Sequence, residues 1–250
     1  MDAETYHPKL PAIFLPEYEP LAKALLQDYF DTEKSDPAQL FSGAHFETLT
    51  GRWDTEVPSG KITAGDLAAV SCLSVNVPGL AAVEILHKQA DAISKLLQKL
   101  PPTSDTIWGV QAVTLEKGHP AWDLWDLLHG IPGLGTTTTS KIMARKRANL
   151  IPIYDSVVSA VLGIGSTNHW DIMRNLMLSV VAGKPLHQRL ADLVANLNLE
   201  AVTPLRAFDV IVWYANNDWE GAKANRVRVL GSVAEVGLLG EDRYSFMGCV

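Results

Sequence analysis

The sequence predicts an all-α protein, and three observations predict it. Apolar residues recur at three- and four-residue spacing along most of the chain, cap and stop residues punctuate those runs, and alternating strand patterns are absent. Composition agrees with a globular chain: 47% hydrophobic and 20% charged residues, with no stretch of eighteen apolar residues to span a membrane. A length of 250 residues buries a sizeable core as one domain or two small ones.

The elements follow in order. Leu21, Ala24, Leu25 and Tyr29 share one helical face between Pro20 and Phe30. Phe41 to Lys61 carries Gly43, Gly51, Pro58 and Gly60, has no period, and reads as irregular with room for a short strand or two. Residues 1–62 are therefore expected to be an irregular N-terminal extension packing on the core. Thr63 and Asp66 are spaced as a capping pair that opens a helix carrying the Leu67–Leu73 apolar run. Pro78-Gly79 breaks it, and a second helix is predicted from Leu80 to Leu100, ended by Pro101-Pro102.

Trp122, Trp125, Leu127 and Leu128 mark a helix stopping at Gly130. Gly133 and Gly135 shape a turn, free of side chains and able to take positive φ. The threonines Thr136 to Thr139 open the next helix. Further helices are expected over Asp171–Val181, ending at Gly183, on the stripe Leu186, Leu190, Leu193, Val194 and Leu197, and after the Thr203-Pro204 cap. The tail from Gly231 is glycine-dotted and takes no assignment. The resulting division is 1–62, a helical subdomain 63–150, and a second one 151–250.

The formal charge of −7 argues against non-specific polyanion binding, but Lys141, Arg145, Lys146 and Arg147 cluster just after the glycine turn. They read either as a solvated helix face or as a phosphate patch. The two cysteines, Cys72 and Cys249, make neither a thiolate zinc site nor an iron–sulfur ligand set, and Cys72 reads as a buried small hydrophobe. The seven histidines are scattered singly, without a metal-binding spacing. The acidic start lacks the pattern of a signal peptide, which places the protein in the cytoplasm.

The most informative stretch is Ile131-Pro132-Gly133-Leu134-Gly135, followed by Pro152-Ile153-Tyr154-Asp155. A glycine turn entering a helix leaves first-turn N–H groups unpaired, and with the helix dipole they suit one phosphate. Gly133, Leu134, Gly135, Thr136, Thr137 and Thr138 are the residues of that clamp. Lys141 and Arg145 are four apart, share a face, and are expected to hold neighbouring phosphates. Asp155 reads as the cap of the following helix, and equally as an acid held beside the clamp. By itself the pentapeptide is also compatible with a plain helix–helix connection.

The pentapeptide resembles the Leu-Pro-Gly-Val-Gly hairpin of the helix-hairpin-helix DNA glycosylases, the endonuclease III and adenine-glycosylase superfamily. Pro152-Ile153-Tyr154-Asp155 resembles the Pro-Ile/Val-x-Asp segment that carries their catalytic acid. The likeness runs from about Leu127 to Val158, roughly an eighth of the chain. Leu73-Ser74-Val75-Asn76 is similar to a shorter Leu-Ser-x-Gln stretch whose polar side chain fills the gap in the DNA stack, which implies that role for Asn76. The chain is also similar to an uncharacterised bacterial family sharing this C-terminal core, a likeness that implies no activity.

The superfamily resemblance implies two helical subdomains flanking a cleft, with double-stranded DNA as partner. The protein is expected to be a monomer, and the missing apolar span keeps it off the membrane. The resemblance implies Asp155 as the catalytic residue. The lysine nucleophile of bifunctional members is replaced by Thr137, eighteen residues before Asp155, so no Schiff base is expected. The implied activity is monofunctional: hydrolysis of the N-glycosidic bond of a modified or mismatched base flipped out of the duplex. Aromatic candidates for the base pocket are Tyr154, Trp122, Trp125, Trp213 and Tyr214, with Tyr154 and Trp125 assigned to it. No cofactor is expected beyond a sodium or potassium ion on the main-chain carbonyls of His129, Ile131 and Leu134, with DNA bound. The alternatives are a non-catalytic DNA-binding module that keeps the hairpin, and a structural helical domain.

Overall fold

The computed structural model describes residues 9–111, 115–165 and 168–235. His7, Cys249 and the tail beyond 235 lie outside them. Eleven α-helices occur among the described residues: α1 (Glu19–Phe30), α2 (Ala64–Ser71), α3 (Gly79–Val83), α4 (Ala90–Lys99), α5 (Pro120–His129), α6 (Thr136–Lys146), α7 (Ser156–Leu162), α8 (His169–Leu178), α9 (Leu186–Asn196), α10 (Pro204–Asn216) and α11 (Glu220–Glu235). The all-α class holds, and no described helix is long and apolar enough to cross a membrane.

The caps form as their chemistry dictates. Thr63 Oγ1 accepts from the Asp66 N–H at 3.2 Å while Asp66 Oδ2 accepts from the Thr63 N–H at 2.8 Å. Thr203 caps α10 through the Arg206 N–H, with Pro204 at the first helical position.

Two expectations need correction. The helix predicted over Leu80–Leu100 is α3 and α4 joined by one π-helical turn, Glu84–Lys88, closed by the Gln89 N–H on the Glu84 carbonyl at 2.7 Å. Ile85 and Ile93 would stand about 80° apart on a straight helix. The inserted residue brings both into the core. The helix predicted over Asp171–Val181 stops at Leu178, and Val180–Val181 pairs antiparallel with Lys184–Pro185. Ala182 and Gly183 both take positive φ there, 50° and 79°, which suits a two-residue hairpin turn. The irregular Phe41–Lys61 stretch holds a 3-10 turn and bends but no strand.

Packing places α1 and the short 3-10 turns on either side of it with the C-terminal helices. α1 packs on α10 and α11, and Phe14 stacks on Phe208 of α10 at 4.8 Å. α7 and α9 also pack on α10, whose Ala207, Phe208, Ile211, Val212 and Tyr214 are fully buried. α8 packs on α9, and a second set forms a chain of contacts, α2 on α6, α6 on α5, and α5 on α4. One continuous apolar core joins the two sets.

Candidate functional site

A cavity of about 490 Å³ lies where these two sets of helices meet. α6 contributes Thr137 and Lys141, and Asp155 and Ser156 enter at the start of α7. α10 contributes Arg206, Asp209 and Trp213, and the loop after α2 contributes Leu73, Ser74 and Val75. Tyr29 of α1 and Phe41 close the wall, and Trp219 stands at 60% exposure on the rim. This volume falls in the range of small-ligand pockets.

Asp155 caps α7: its Oδ1 accepts from the Val157 N–H at 2.9 Å. Its Oδ2 lies 3.6 Å from Lys141 Nζ, which also donates to the Leu73 carbonyl at 2.9 Å. One carboxylate oxygen is thus spent on the fold and the other meets a cation inside the cavity. Burial pushes the Lys141 amine below its usual range, and Asp155 opposes that shift. Sequence reasoning assigned Lys141 to a surface phosphate. The structure buries it beside the acid instead, because α6 turns this face inward.

Arg145 is a fuller correction. The residue is 1% exposed, and its guanidinium donates to the carbonyls of Phe46, Leu49 and Gly51 and lies 3.5 Å from Asp66. Lys146 pairs with Asp66 at 3.0 Å, and Arg147 donates to the carbonyls of Ser59, Leu97 and Pro101. The basic cluster tethers α6 to α2, the glycine-dotted loop and the end of α4. It offers no surface to a phosphate.

The turn between α5 and α6 remains open. Gly133 has φ +89° and Gly135 an ordinary φ of −89°, so only the first needs the left-handed region. No side chain caps α6. The earliest helical bond is from the Thr139 N–H to Gly135, which leaves the Thr136, Thr137 and Thr138 N–H groups without an intrahelical partner. Gly135 and Gly133 are exposed and Leu134 anchors the turn in the core, whereas the Thr138 side chain is buried and can contribute its backbone only. The Ile131 carbonyl already accepts from the Leu134 N–H at 3.0 Å, keeping one lone pair for the expected ion. His129 is exposed, with Nε2 at 3.4 Å from Thr136 Oγ1.

A Cβ on Gly133 would come within 2.9 Å of Pro78, so the turn packs on the loop that carries Asn76. Asn76 is exposed at that edge, and so is Leu80, at 83%. Gly133→Ala is expected to cost about 1–3 kcal/mol through the strained φ and the Pro78 clash, read from the denaturant midpoint.

Neither assigned pocket aromatic lines the cavity. Trp125 is core, packed on Trp170 and Trp122 and stacked on His129. Tyr154 turns its ring edge-on to His169 at 5.2 Å. The cavity wall uses Tyr29, Phe41 and Trp213 instead, and Cys72 is half-buried at its side. Sequence reasoning also missed the buried cluster beneath. Arg206 donates to Glu47 at 2.9 Å, Asp209 at 2.5 Å, Tyr29 Oη at 3.1 Å and the Gly43 carbonyl at 3.0 Å. Its signal was present: Arg206 and Asp209 interrupt an otherwise apolar helix.

His169 holds the strand-like segment before the acid, with Nε2 3.0 Å from the Ile153 carbonyl. Burial lowers its imidazole from 6.5 to about 4. The group is neutral in both states above pH 6.5. Below that the unfolded chain takes the proton first, so stability falls with pH, by about 3 kcal/mol by pH 4. His169→Gln keeps a donor to Ile153 and is expected to flatten that acid limb in urea titrations at pH 7 and 4.5.

A model of a family described as a family of unknown function (DUF6308) matches residues 22–216, more than half of the chain. The chain belongs to this family. The DUF6308 match runs from α1 to α10 and takes in the cavity wall from Tyr29 to Trp213. No curated protein and no solved structure matches the chain.

Proposed function

We propose that this DUF6308 chain is a monofunctional DNA glycosylase-like enzyme. The observation that carries the reading is the position of Asp155: a helix-capping acid at the wall of a ligand-sized cavity, next to the helix that follows an open glycine turn. In this reading the turn is a helix-hairpin-helix clamp, and its unpaired N–H groups grip one phosphate. Asn76 fills the vacated stack from the neighbouring loop, and the flipped nucleotide enters the cavity. As the base departs, positive charge grows on the sugar. Asp155 stabilises it and orients the attacking water. Lys141 fixes the acid's free oxygen, and Thr137 supplies no amine.

The test is a panel of lesion-bearing and mismatched duplexes assayed for alkali-labile abasic sites. The reading expects release from at least one of them and is refuted if none is cut. A binding module without chemistry is the rival, favoured by the ion pair that occupies Asp155 Oδ2. It expects duplex binding with every base left in place. Because Arg145, Lys146 and Arg147 are spent inside the fold, either reading expects a shallow dependence of affinity on salt.

A further inference from the structure

We propose that the exposed indole of Trp219 is a stacking platform at the mouth of this cavity, and that the cavity takes an uncharged, planar aromatic ring laid on its open face. The inference rests on the glycosylase reading for its biological setting, where the ring is the flipped base, but not for its geometry.

Trp219 lies in the connection from α10 to α11 and borders the cavity. Tryptophan is on average well buried, yet this one is 60% exposed. It is nonetheless held in place. Its backbone N–H donates to Asn217 Oδ1 at 2.7 Å, and its carbonyl accepts from the Lys223 N–H at 2.9 Å. The buried Arg226 donates to the carbonyls of Tyr214 and Asn217 at 2.9 and 2.8 Å, which pins the chain where it leaves α10. The ring itself is seated on Gly221. A Cβ there would lie 2.8, 2.9 and 3.1 Å from three neighbouring atoms of the six-membered ring. Distances so nearly equal put the glycine over the ring's face, since an approach from the edge would favour one atom. One face therefore rests on backbone and the other is open. A side chain set in advance gives up little freedom when a ligand covers it.

The rest of the wall decides what kind of ligand fits. Tyr29 and Phe41 stack at 4.8 Å, and Trp213 meets Phe41 edge-to-face at 6.1 Å. The four charged residues of the wall are ion-paired among themselves, Lys141 with Asp155 at 3.6 Å and Arg206 with Asp209 at 2.5 Å. A charged ligand would give up its hydration without finding an uncompensated partner. An uncharged ring gives up little and gains the π-face of the indole.

Four small probes separate stacking from general apolar burial and from charge. Benzamide and cyclohexanecarboxamide share size and polar group and differ in aromaticity. Benzoate and benzamidinium add a charge of either sign. The experiment is an NMR titration of the full chain, reading backbone amide shifts and the Trp219 indole N–H, which is assigned by its loss in Trp219→Leu. Wild type is expected to bind benzamide about 10-fold more tightly than the other three. The cyclohexyl ring is the more hydrophobic of the pair, so apolar burial alone predicts the opposite order. Trp219→Leu keeps an apolar surface without a π-face and is expected to lose the margin. Gly221→Ala keeps the indole but pushes it off its seat, and is expected to weaken benzamide binding several-fold. Native spectra of both variants show that the fold is intact. Equal binding of benzamide and cyclohexanecarboxamide by wild type, a margin that survives in Trp219→Leu, tighter binding of either ion, unchanged binding in Gly221→Ala, or no binding of any probe at tens of millimolar would overturn the proposal.

Neither DNA nor turnover enters these titrations. A protein that prefers benzamide yet releases no base keeps this inference and loses the glycosylase reading. One that releases bases but shows no such preference does the reverse.

Discussion

Asp155→Asn is expected to lower base release by about 10³-fold while leaving duplex affinity within a few-fold of wild type. The substitution is a clean probe because asparagine caps a helix about as well as aspartate, so the Val157 N–H keeps its acceptor. Lys141 keeps the Leu73 carbonyl. What disappears is the negative charge facing the cavity. An interaction made chiefly in the transition state shows itself as a loss in kcat with little change in binding. A matching loss of affinity would instead assign Asp155 to holding DNA. Single-turnover release and fluorescence anisotropy on one duplex read the two quantities separately.

Asp66→Asn is expected to destabilise the fold by about 3–5 kcal/mol, the largest loss among the ion pairs. Asp66 is fully buried and accepts from the Thr63 N–H, Thr63 Oγ1 and Lys146 Nζ, with Arg145 Nε at 3.5 Å. An asparagine there can still take part of the capping box. It leaves two buried cations without their counter-ion. The exposed pair of Lys184 and Asp192 supplies the internal control, since surface pairs contribute about 0–1 kcal/mol. Denaturant midpoints of Asp66→Asn and Asp192→Asn should therefore differ clearly. Equal midpoints would mean that the cluster behind α6 is solvated.

Asp155 meets the middle of α6 and Asp66 its C-terminal turn, and the two mark what was legible in the sequence. Local signals carried well. Thr63 with Asp66, Thr203 with Pro204, and Gly130 as a stop each act through neighbouring backbone, so short-range chemistry fixes them. The placement of Asp155 as a cap was legible for the same reason. The basic cluster was not, because which way α6 faces depends on Asp66, eighty residues earlier, and on the carbonyls of Phe46, Leu49 and Gly51. A charge run has no periodicity that reports burial. The aromatic wall was legible only in part: Trp213 was among the candidates, but Trp125 and Tyr154, which sit close to the motif in sequence, lie off the cavity, and Tyr29 and Phe41 arrive from distant parts of the chain. The π-helical turn at Glu84–Lys88 left no sign beyond a slip in the apolar face.

The most direct measurement needs no knowledge of the substrate base. Duplexes carrying either a cationic pyrrolidine or a neutral tetrahydrofuran in place of the abasic sugar differ only in the charge that a departing base would create. If Asp155 faces that charge in the cavity, wild type should bind the pyrrolidine duplex about 10²-fold more tightly, and Asp155→Asn should lose most of that margin. Equal affinity of wild type for the two duplexes, or a margin that survives Asp155→Asn, would contradict a carboxylate poised to stabilise a sugar cation.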